Sequence, residues 1–236
     1  MKLERTAILR RREAPCRRQE RKGVRGMPER QRNPINPGKV EWVGDNPGIF
    51  LKETEDGDWV SLALYFRVVY SPQGSGKAIL VLDEPGRAEG YPGENNLCIT
   101  DNEAMMRYLV ADYAQLFPAF RGSLGLQAMT YLPLESSETL GGFDDSYSEV
   151  VRGGGVSLRM TWRQIGEPVA IEVTPEHAVT GAHDMYNIFI PAGQAEIAID
   201  DQLLSGRVIP RPLFGQTMNS AFLAFSETWV TPPNEA

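Results

Sequence analysis

The chain has 236 residues, with 24 Lys and Arg against 31 Asp and Glu, and a net charge of −7. A chain of this length buries about 70% of its unfolded surface, so it needs no disulfide framework or metal to fold. The two cysteines, Cys16 and Cys98, are expected to be free thiols in a reducing, cytoplasmic compartment. No apolar run approaches the ~20 residues of a membrane-spanning helix, so no membrane partner is expected.

The charge is divided unevenly along the chain. Residues 1–39 hold 13 Lys/Arg and 4 Asp/Glu, a net of +9, and the remaining 197 residues hold 11 and 27, a net of −16. An acidic body argues against nucleic acid as its partner. The basic arm 1–39 has few apolar residues and is predicted to be disordered. It suits an electrostatic tail or a transit peptide, but the favoured interpretation is a native start at Met27, with 1–26 dispensable.

Residues 40–236 are predicted to form a single β-rich domain. Short β-prone runs separated by turn residues predict strands at 40–43, 48–53, 59–70, 78–83 and 96–100. The segment 71–77, "SPQGSGK", resembles a phosphate loop but has Ser71 where a Gly is required and Ala78 where a Ser or Thr is required. It is predicted to be a hairpin loop instead. The long loop 84–96 offers Tyr91 as a candidate ligand contact.

One amphipathic helix is predicted at 100–117. Thr100 and Glu103 form a capping-box pattern, and Pro118 ends the segment. Its methionines and aromatic residues recur at helical spacing, which is more typical of core packing than of a ligand pocket.

The second half of the chain returns to strands. They are predicted at 126–133, 147–152, 156–163, 169–174, 186–191, 195–200, 204–210 and 221–230. The alternation in 156–163 and 169–174 favours a hairpin that places Arg159 opposite Glu172. Asp200 to Gln202 are predicted to form a hairpin turn.

About ten strands with one inserted helix predict a mainly β fold. An antiparallel β-barrel of the lipocalin or calycin type is the first choice, and a two-sheet sandwich is the alternative. The pattern argues against a parallel α/β fold, because the alternating helices that such a fold requires are missing.

The only two histidines lie close together. His177 is followed by His183 and Asp184, a residue set that could hold a metal ion or transfer protons. The spacing does not fit the i, i+4 pattern of a zincin helix, and the chain has no third histidine. A polar turn between two strands is the alternative, and no cofactor is expected.

The last predicted strand contains a second candidate. Leu223, Phe225, Glu227 and Trp229 are predicted to share one face, and a buried Glu227 would suit a general acid or base. Pairing of Glu227 with Arg207 or Arg211 is the alternative. Trp162 and Trp229 are either walls of one cavity or plain core, and Cys98 is a buried hydrophobe rather than a nucleophile.

Three functions remain open. The first is binding of a small hydrophobic or aromatic molecule in an internal cavity, with Trp162, Trp229, Arg159, Tyr65 and Tyr91 as contacts. The second is an enzyme on the same scaffold, such as an isomerase, hydratase, cyclase or decarboxylase, whose Glu227, His177 or His183 moves protons. The third is an interaction module, such as a homodimer formed through an edge strand.

Overall fold

The computed structural model describes residues 38–213 and 215–233. The predicted basic arm therefore lies outside the described residues except for its last two positions. The helical segments are α1 (Glu103–Asp112), a 3-10 turn (Ala114–Leu116) and α2 (Leu124–Gln127). The described strands are β1 (Lys39–Asp45), β2 (Gly48–Lys52), β3 (Trp59–Tyr70), β4 (Gly76–Leu82), β5 (Leu97–Thr100), β6 (Thr130–Pro133), β7 (Ser136–Gly141), β8 (Ser146–Gly153), β9 (Val156–Ile165), β10 (Val169–Val173), β11 (Asp184–Ile199), β12 (Gln202–Leu203), β13 (Pro210–Leu213), β14 (Gln216–Asn219) and β15 (Ala221–Thr231).

Thirteen of these strands form one mixed sheet. Its hydrogen-bonded path runs β6-β5-β4-β3-β1-β15-β11-β9-β8-β7, with β2, β10 and β12 attached to it, and β13 and β14 form a separate hairpin. All the pairs are antiparallel except β5 with β6. The mainly β prediction is confirmed, but ten strands was too few. The path has two ends, β6 and β7, so a closed barrel is not established.

Each face of the sheet carries its own hydrophobic core. In β3, Leu62 and Leu64 belong to one core and Ala63 and Tyr65 to the other, because successive side chains of a strand point to opposite faces. The helix-side core also contains Met105, Met106 and Leu109 of α1, so the helix stripe is core, as predicted. The strand-side core lies between the two halves of the sheet and includes Tyr65, Leu158, Met160, Trp162 and Ile197.

The helix is shorter than predicted and starts with a different cap. Asn102, not Thr100, is the N-cap, and its Oδ1 accepts a hydrogen bond of 3.0 Å from the amide of Met105. Thr100 remains in β5, where its hydroxyl donates to the Lys77 carbonyl oxygen. At Tyr113 the backbone leaves the helical region, so the chain continues as a 3-10 turn rather than as helix to 117.

The predicted hairpin between 156–163 and 169–174 is wrong. β9 pairs with β8 and with the second half of β11, whereas β10 pairs with the first half of β11. The two strands predicted at 186–191 and 195–200 are one continuous strand, β11, in the structure. Its 16 residues are enough to pair with β10 along the first half and with β9 along the second half. Arg159 consequently contacts Asp201, 3.3 Å away, and not Glu172.

Two predicted turns and the state of Cys98 are confirmed. Residues 71–75 connect β3 and β4 as an antiparallel hairpin loop. Asp200 and Asp201 have φ of 48° and 64°, the left-handed pair required by a two-residue type I′ turn between β11 and β12. Cys98 is fully buried and free.

A β-bulge changes the face to which the end of β15 points. Ser226 and Glu227 together lie opposite Asn187 of β11, and Ser226 has φ of 56°. Before the bulge, Leu223 points into the strand-side core. After it, the odd-numbered Trp229 points into the helix-side core. The prediction that Leu223, Phe225, Glu227 and Trp229 share one face is therefore wrong, because one inserted residue reverses the alternation.

We expect the left-handed conformation of Ser226 to limit stability. Ser226→Gly should raise the free energy of unfolding by up to about 1 kcal/mol, and Ser226→Val should lower it by about 1–2 kcal/mol, because a β-branched residue resists positive φ. Urea denaturation measures both. Ser157, a half-buried serine of β9 without positive φ, is the matched control. Ser157→Val should leave the free energy of unfolding nearly unchanged, and Ser157→Gly should lower it. The same order of stabilities at both sites would contradict the assigned bulge.

Candidate functional site

A cavity of about 100 Å³ lies on the helix side of the sheet, against β2, β11 and β15. Its walls are mainly aromatic. Phe189 and Phe222 stack with their ring centroids 4.6 Å apart, and Phe50 meets Phe222 edge to face at 5.5 Å. The other walls are irregular segments, Phe117 and Pro118 after α1 and Ala178 and Val179 after β10. An aromatic cavity with a few polar groups is the usual form of a small-molecule site.

Glu227 is the acidic group of the cavity and is 5% exposed. Its Oε1 accepts a 2.6 Å hydrogen bond from the indole Nε1 of Trp229. Its Oε2 accepts from the Nδ2 of Asn187 at 3.1 Å and from the Nδ2 of Asn46 at 3.5 Å. The three donors are neutral, and no described cation lies within salt-bridge distance of the carboxylate.

This setting favours the neutral acid. Burial raises the pKa of Glu227 to about 7, and the hydrogen bonds from Trp229 and Asn46 offset only part of that effect. Near neutral pH the group therefore exchanges a proton easily, which is the property required of a general acid or base. The predicted acid/base character of Glu227 and its burial thus have a geometric basis, although the bulge, not simple alternation, places the side chain.

Two amide oxygens next to Glu227 have unused hydrogen-bonding capacity. Asn46 and Asn187 are 2% and 7% exposed, and each uses its Nδ2 on Glu227. The Oδ1 atom of each is buried and has no partner among the described residues. Buried acceptors of this kind are costly unless a donor reaches them.

Arg211 reaches the cavity from the β13–β14 hairpin. Its guanidinium lies 5.1 Å from the ring centroid of Phe50 and 5.9 Å from that of Phe222. Burial lowers the pKa of Arg211 to about 10, which leaves the group charged at neutral pH. Neither Arg207 nor Arg211 forms an ion pair with Glu227 among the described residues, so the predicted pairing does not occur.

The two histidines have different surroundings. His177 is exposed at the edge of the cavity, and its Nδ1 lies 3.3 Å from the Thr174 hydroxyl. His183 packs against the rings of Tyr113 and Trp229, at centroid distances of 5.7 and 6.2 Å, and burial lowers its pKa. Within 38–213 and 215–233, no group of three His, Cys, Asp or Glu side chains is arranged to hold a metal ion. No such group includes the predicted set His177, His183 and Asp184.

Of the residues predicted to contact a ligand, only Trp229 lines the cavity. Trp162 lies in the strand-side core, where its Nε1 donates to the Gly48 carbonyl oxygen at 3.1 Å. Arg159 lies at the surface with Asp201, and Tyr91 packs at the edge of the strand-side core. Trp162 and Trp229 thus face opposite sides of the sheet and do not share a cavity.

Tyr65 belongs to a second polar cluster, in which the buried carboxylate has a cation as its partner. Glu149, 1% exposed, accepts hydrogen bonds from Arg67 at 2.9 Å and from the Tyr147 hydroxyl at 2.6 Å. Arg67 also reaches Asp45 at 3.0 Å and the Tyr65 hydroxyl at 3.3 Å. Because its donors and acceptors satisfy one another, this cluster is a structural feature, unlike the unpaired groups around Glu227.

Sequence reasoning missed Asn46 and Asn187, and it named Arg211 only as an alternative partner of Glu227. Asn187 carried a usable signal, because it alternates with Met185 and Phe189 on a face that is otherwise apolar. Asn46 was assigned to a turn between two strands. Arg211 stands in a short proline-flanked segment that has no periodic pattern.

Comparison of the chain with models of protein families, with curated proteins and with solved structures finds no match in any of the three. Among the helices formed by the described residues, none has the length and apolar character needed to span a membrane.

The raised pKa of Glu227 should make stability depend on pH. The folded protein holds this proton from the ordinary value of about 4.5 up to about 7, so the free energy of unfolding should fall as pH rises through this window, by roughly 3 kcal/mol. Glu227→Gln should flatten this fall and make the protein more stable than the wild type at pH values above the window. Chemical denaturation across pH measures the effect.

Glu149→Gln is the matched control, because it also removes one buried carboxylate. It weakens the hydrogen bonds from Arg67 and Tyr147 and should lower stability by about 1–3 kcal/mol on both sides of the window. A fall with pH that persists unchanged in Glu227→Gln would show that other groups cause it.

Proposed function

We propose that this protein binds a small molecule with a single aromatic or similarly apolar ring in the cavity beside Glu227. The observation that carries the proposal is the combination of aromatic walls with buried polar atoms that have no partner in the chain, the Oδ1 atoms of Asn46 and Asn187 and the Nε of Arg211. A close-packed interior avoids such atoms, whereas a binding site uses them to orient its ligand.

The size of the cavity limits the ligand. At about 100 Å³ it is smaller than the cavity of about 150 Å³ that encloses benzene, so it holds no more than a single ring and excludes a lipid or a fused polycycle. A ligand of eight heavy atoms gaining roughly 0.6 kcal/mol per atom would bind with about 5 kcal/mol, a Kd on the order of 0.2 mM.

A closed β-barrel is the arrangement we propose for the sheet, and it would place this site outside the barrel. Two backbone hydrogen bonds support closure between β5 and β8. The Leu134 amide donates to the Thr100 carbonyl oxygen, and the next amide, that of Glu135, donates to the Arg152 carbonyl oxygen. The enclosed space would be the strand-side core, which is filled by large side chains such as Trp162. The ligand would then lie between the outer face of the barrel and the segments that cover it.

Binding can be measured at methionine methyl groups. In protein labelled with 13C at the methionine methyls, single-ring compounds such as phenol, benzyl alcohol, benzamide and benzoate should shift the signal of Met185, which lines the cavity. The signal of Met160, in the strand-side core, should stay in place. Ala178→Trp, which fills the edge of the cavity, should abolish the shifts. Ala170→Trp, at an exposed position of β10, should not. If no compound moves Met185, the proposal fails.

Proton transfer on the bound molecule is a second candidate function. The specific observation is a buried carboxylate whose pKa is raised to about 7 and which faces the cavity. Glu227 would remove a proton from a carbon next to a carbonyl or similar group of the ligand and return it, exchanging it with solvent.

This candidate predicts solvent exchange that depends on Glu227. Single-ring compounds that bind and carry a C–H bond next to a carbonyl group, which phenol, benzyl alcohol, benzamide and benzoate lack, should gain deuterium from D2O, faster as pH rises past the pKa of Glu227, and Glu227→Gln should slow the exchange by about 10² or more. Mass spectrometry of the recovered compound measures the incorporation. Glu227→Gln should still bind, because the Asn46 and Asn187 amides can turn their Oδ1 atoms toward the new Nε2. Equal exchange in wild type and variant would exclude the role.

A further inference from the structure

Arg211 is a partly buried cation without an anion among the described residues. Its Nε is inaccessible to solvent and has no partner among the described residues. Other described arginines, including Arg67, Arg159 and Arg163, have a carboxylate oxygen within 4.0 Å. Burial alone lowers the pKa of Arg211, so no anion of the described chain is close enough to offset the cost of burying its charge.

The surroundings of Arg211 leave its hydrogen-bonding edge for the cavity. Phe50 and Phe222 contact the guanidinium as aromatic rings and accept no conventional hydrogen bond from it. A planar guanidinium presents parallel N–H donors that match the two oxygens of a carboxylate. The missing partner of Arg211 is thus a planar, singly charged anion placed beside aromatic rings.

The opposite polar group of the cavity requires a donor. The Oδ1 atoms of Asn46 and Asn187 are acceptors without a partner among the described residues, Glu227 accepts as well when ionised, and Arg211 does not contribute to the pKa of Glu227. The acceptors and the cation are therefore separate polar groups in the lining of one cavity. A molecule that spans both must carry an anion at one end and a hydroxyl or N–H group at the other.

We propose that the cavity binds small aromatic carboxylic acids, with the carboxylate on Arg211 and a hydrogen-bond donor, such as a ring hydroxyl, at Glu227, Asn46 and Asn187. This assignment rests on the proposed binding function and specifies its ligand class. Arg211 is the one permanent cation among the described lining residues, which suits a carboxylate better than a doubly charged phosphate.

The test compares matched ligands on the wild-type protein by the Met185 methyl shift. Benzoate and benzamide have nearly the same shape but differ in charge, and 4-hydroxybenzoate adds the donor at the far end of the ring. Benzoate should bind about 10-fold or more tightly than benzamide, and 4-hydroxybenzoate more tightly than benzoate, because hydrogen bonds to a charged group exceed those to a neutral one. No variant is needed for this comparison.

Three variants assign the preference to a residue. Arg211→Gln should remove the advantage of benzoate over benzamide and leave the affinity for benzamide within about twofold, since only the charge-assisted bonds are lost. Arg211→Lys should restore part of the advantage, because the charge returns without the planar fork. Arg207→Gln, an exposed arginine beside the same hairpin, is the control and should behave like the wild type.

The possible outcomes separate the two proposals. Preference for the acid in the wild type and its loss in Arg211→Gln support the assignment. If benzamide binds as tightly as benzoate, or if Arg211→Gln keeps the preference, the assignment is wrong while ligand binding stands. If none of the compounds shifts Met185, both proposals fail. Should Arg211→Gln not fold, the wild-type ratio and Arg211→Lys decide the question.

Discussion

One inserted residue decides which face of the sheet receives Glu227. Ser226 has no pairing partner of its own in β11, so the strand alternation restarts one position later and Glu227 and Trp229 point toward the helix side. A regular strand would send Glu227 toward the strand-side core, where Leu223 and Trp162 leave no space for a polar group. The bulge is anchored on both sides, by the Ser226 amide donating to Asp45 and by the Asn187 amide donating to Glu227. Bulges beside functional sites commonly redirect a side chain in this way.

The electrostatics of the cavity differ from those around Glu149. Around Glu149, burial is offset by a complete set of donors, including the cation Arg67. In the cavity, the chain buries one acid and one cation yet does not pair them, because Glu227 belongs to the main sheet and Arg211 to the separate β13–β14 hairpin. Burying Glu227 and Arg211 without pairing them lowers the free energy of unfolding. The apolar burial in the two large cores offsets this loss. Local rules are typically broken in this way where a site is reserved for another molecule.

The sequence was sufficient for the elements that depend on local chemistry. The alternation in β3, the turn at Asp200 and Asp201, and the burial of α1 and Cys98 follow from side-chain period and turn preferences. Strand pairing could not be predicted from the sequence. The alternation of apolar and polar residues in β9 and β10 matches each other as well as it matches that of β11, the strand with which both pair. The site depended on pairing and on the bulge, so Glu227 was identified for a partly wrong reason. Arg211 was named only as an alternative ion-pair partner of Glu227, because the role of its segment is set by tertiary position alone.

The location of the cavity follows from how the two faces of the sheet are covered. The strand-side face is covered by other strands of the same sheet, whose alternating side chains interdigitate and fill the space. The helix-side face above β2, β11 and β15 is covered by chain connections, Phe117–Pro118, the segment after Val173 and the β13–β14 hairpin. Such segments are held at their ends and cannot match the sheet residue by residue. They leave a space between themselves and the sheet, and polar groups face this space from both sides. The strands do not need these polar groups for stability, so the fold has room here for binding or catalysis.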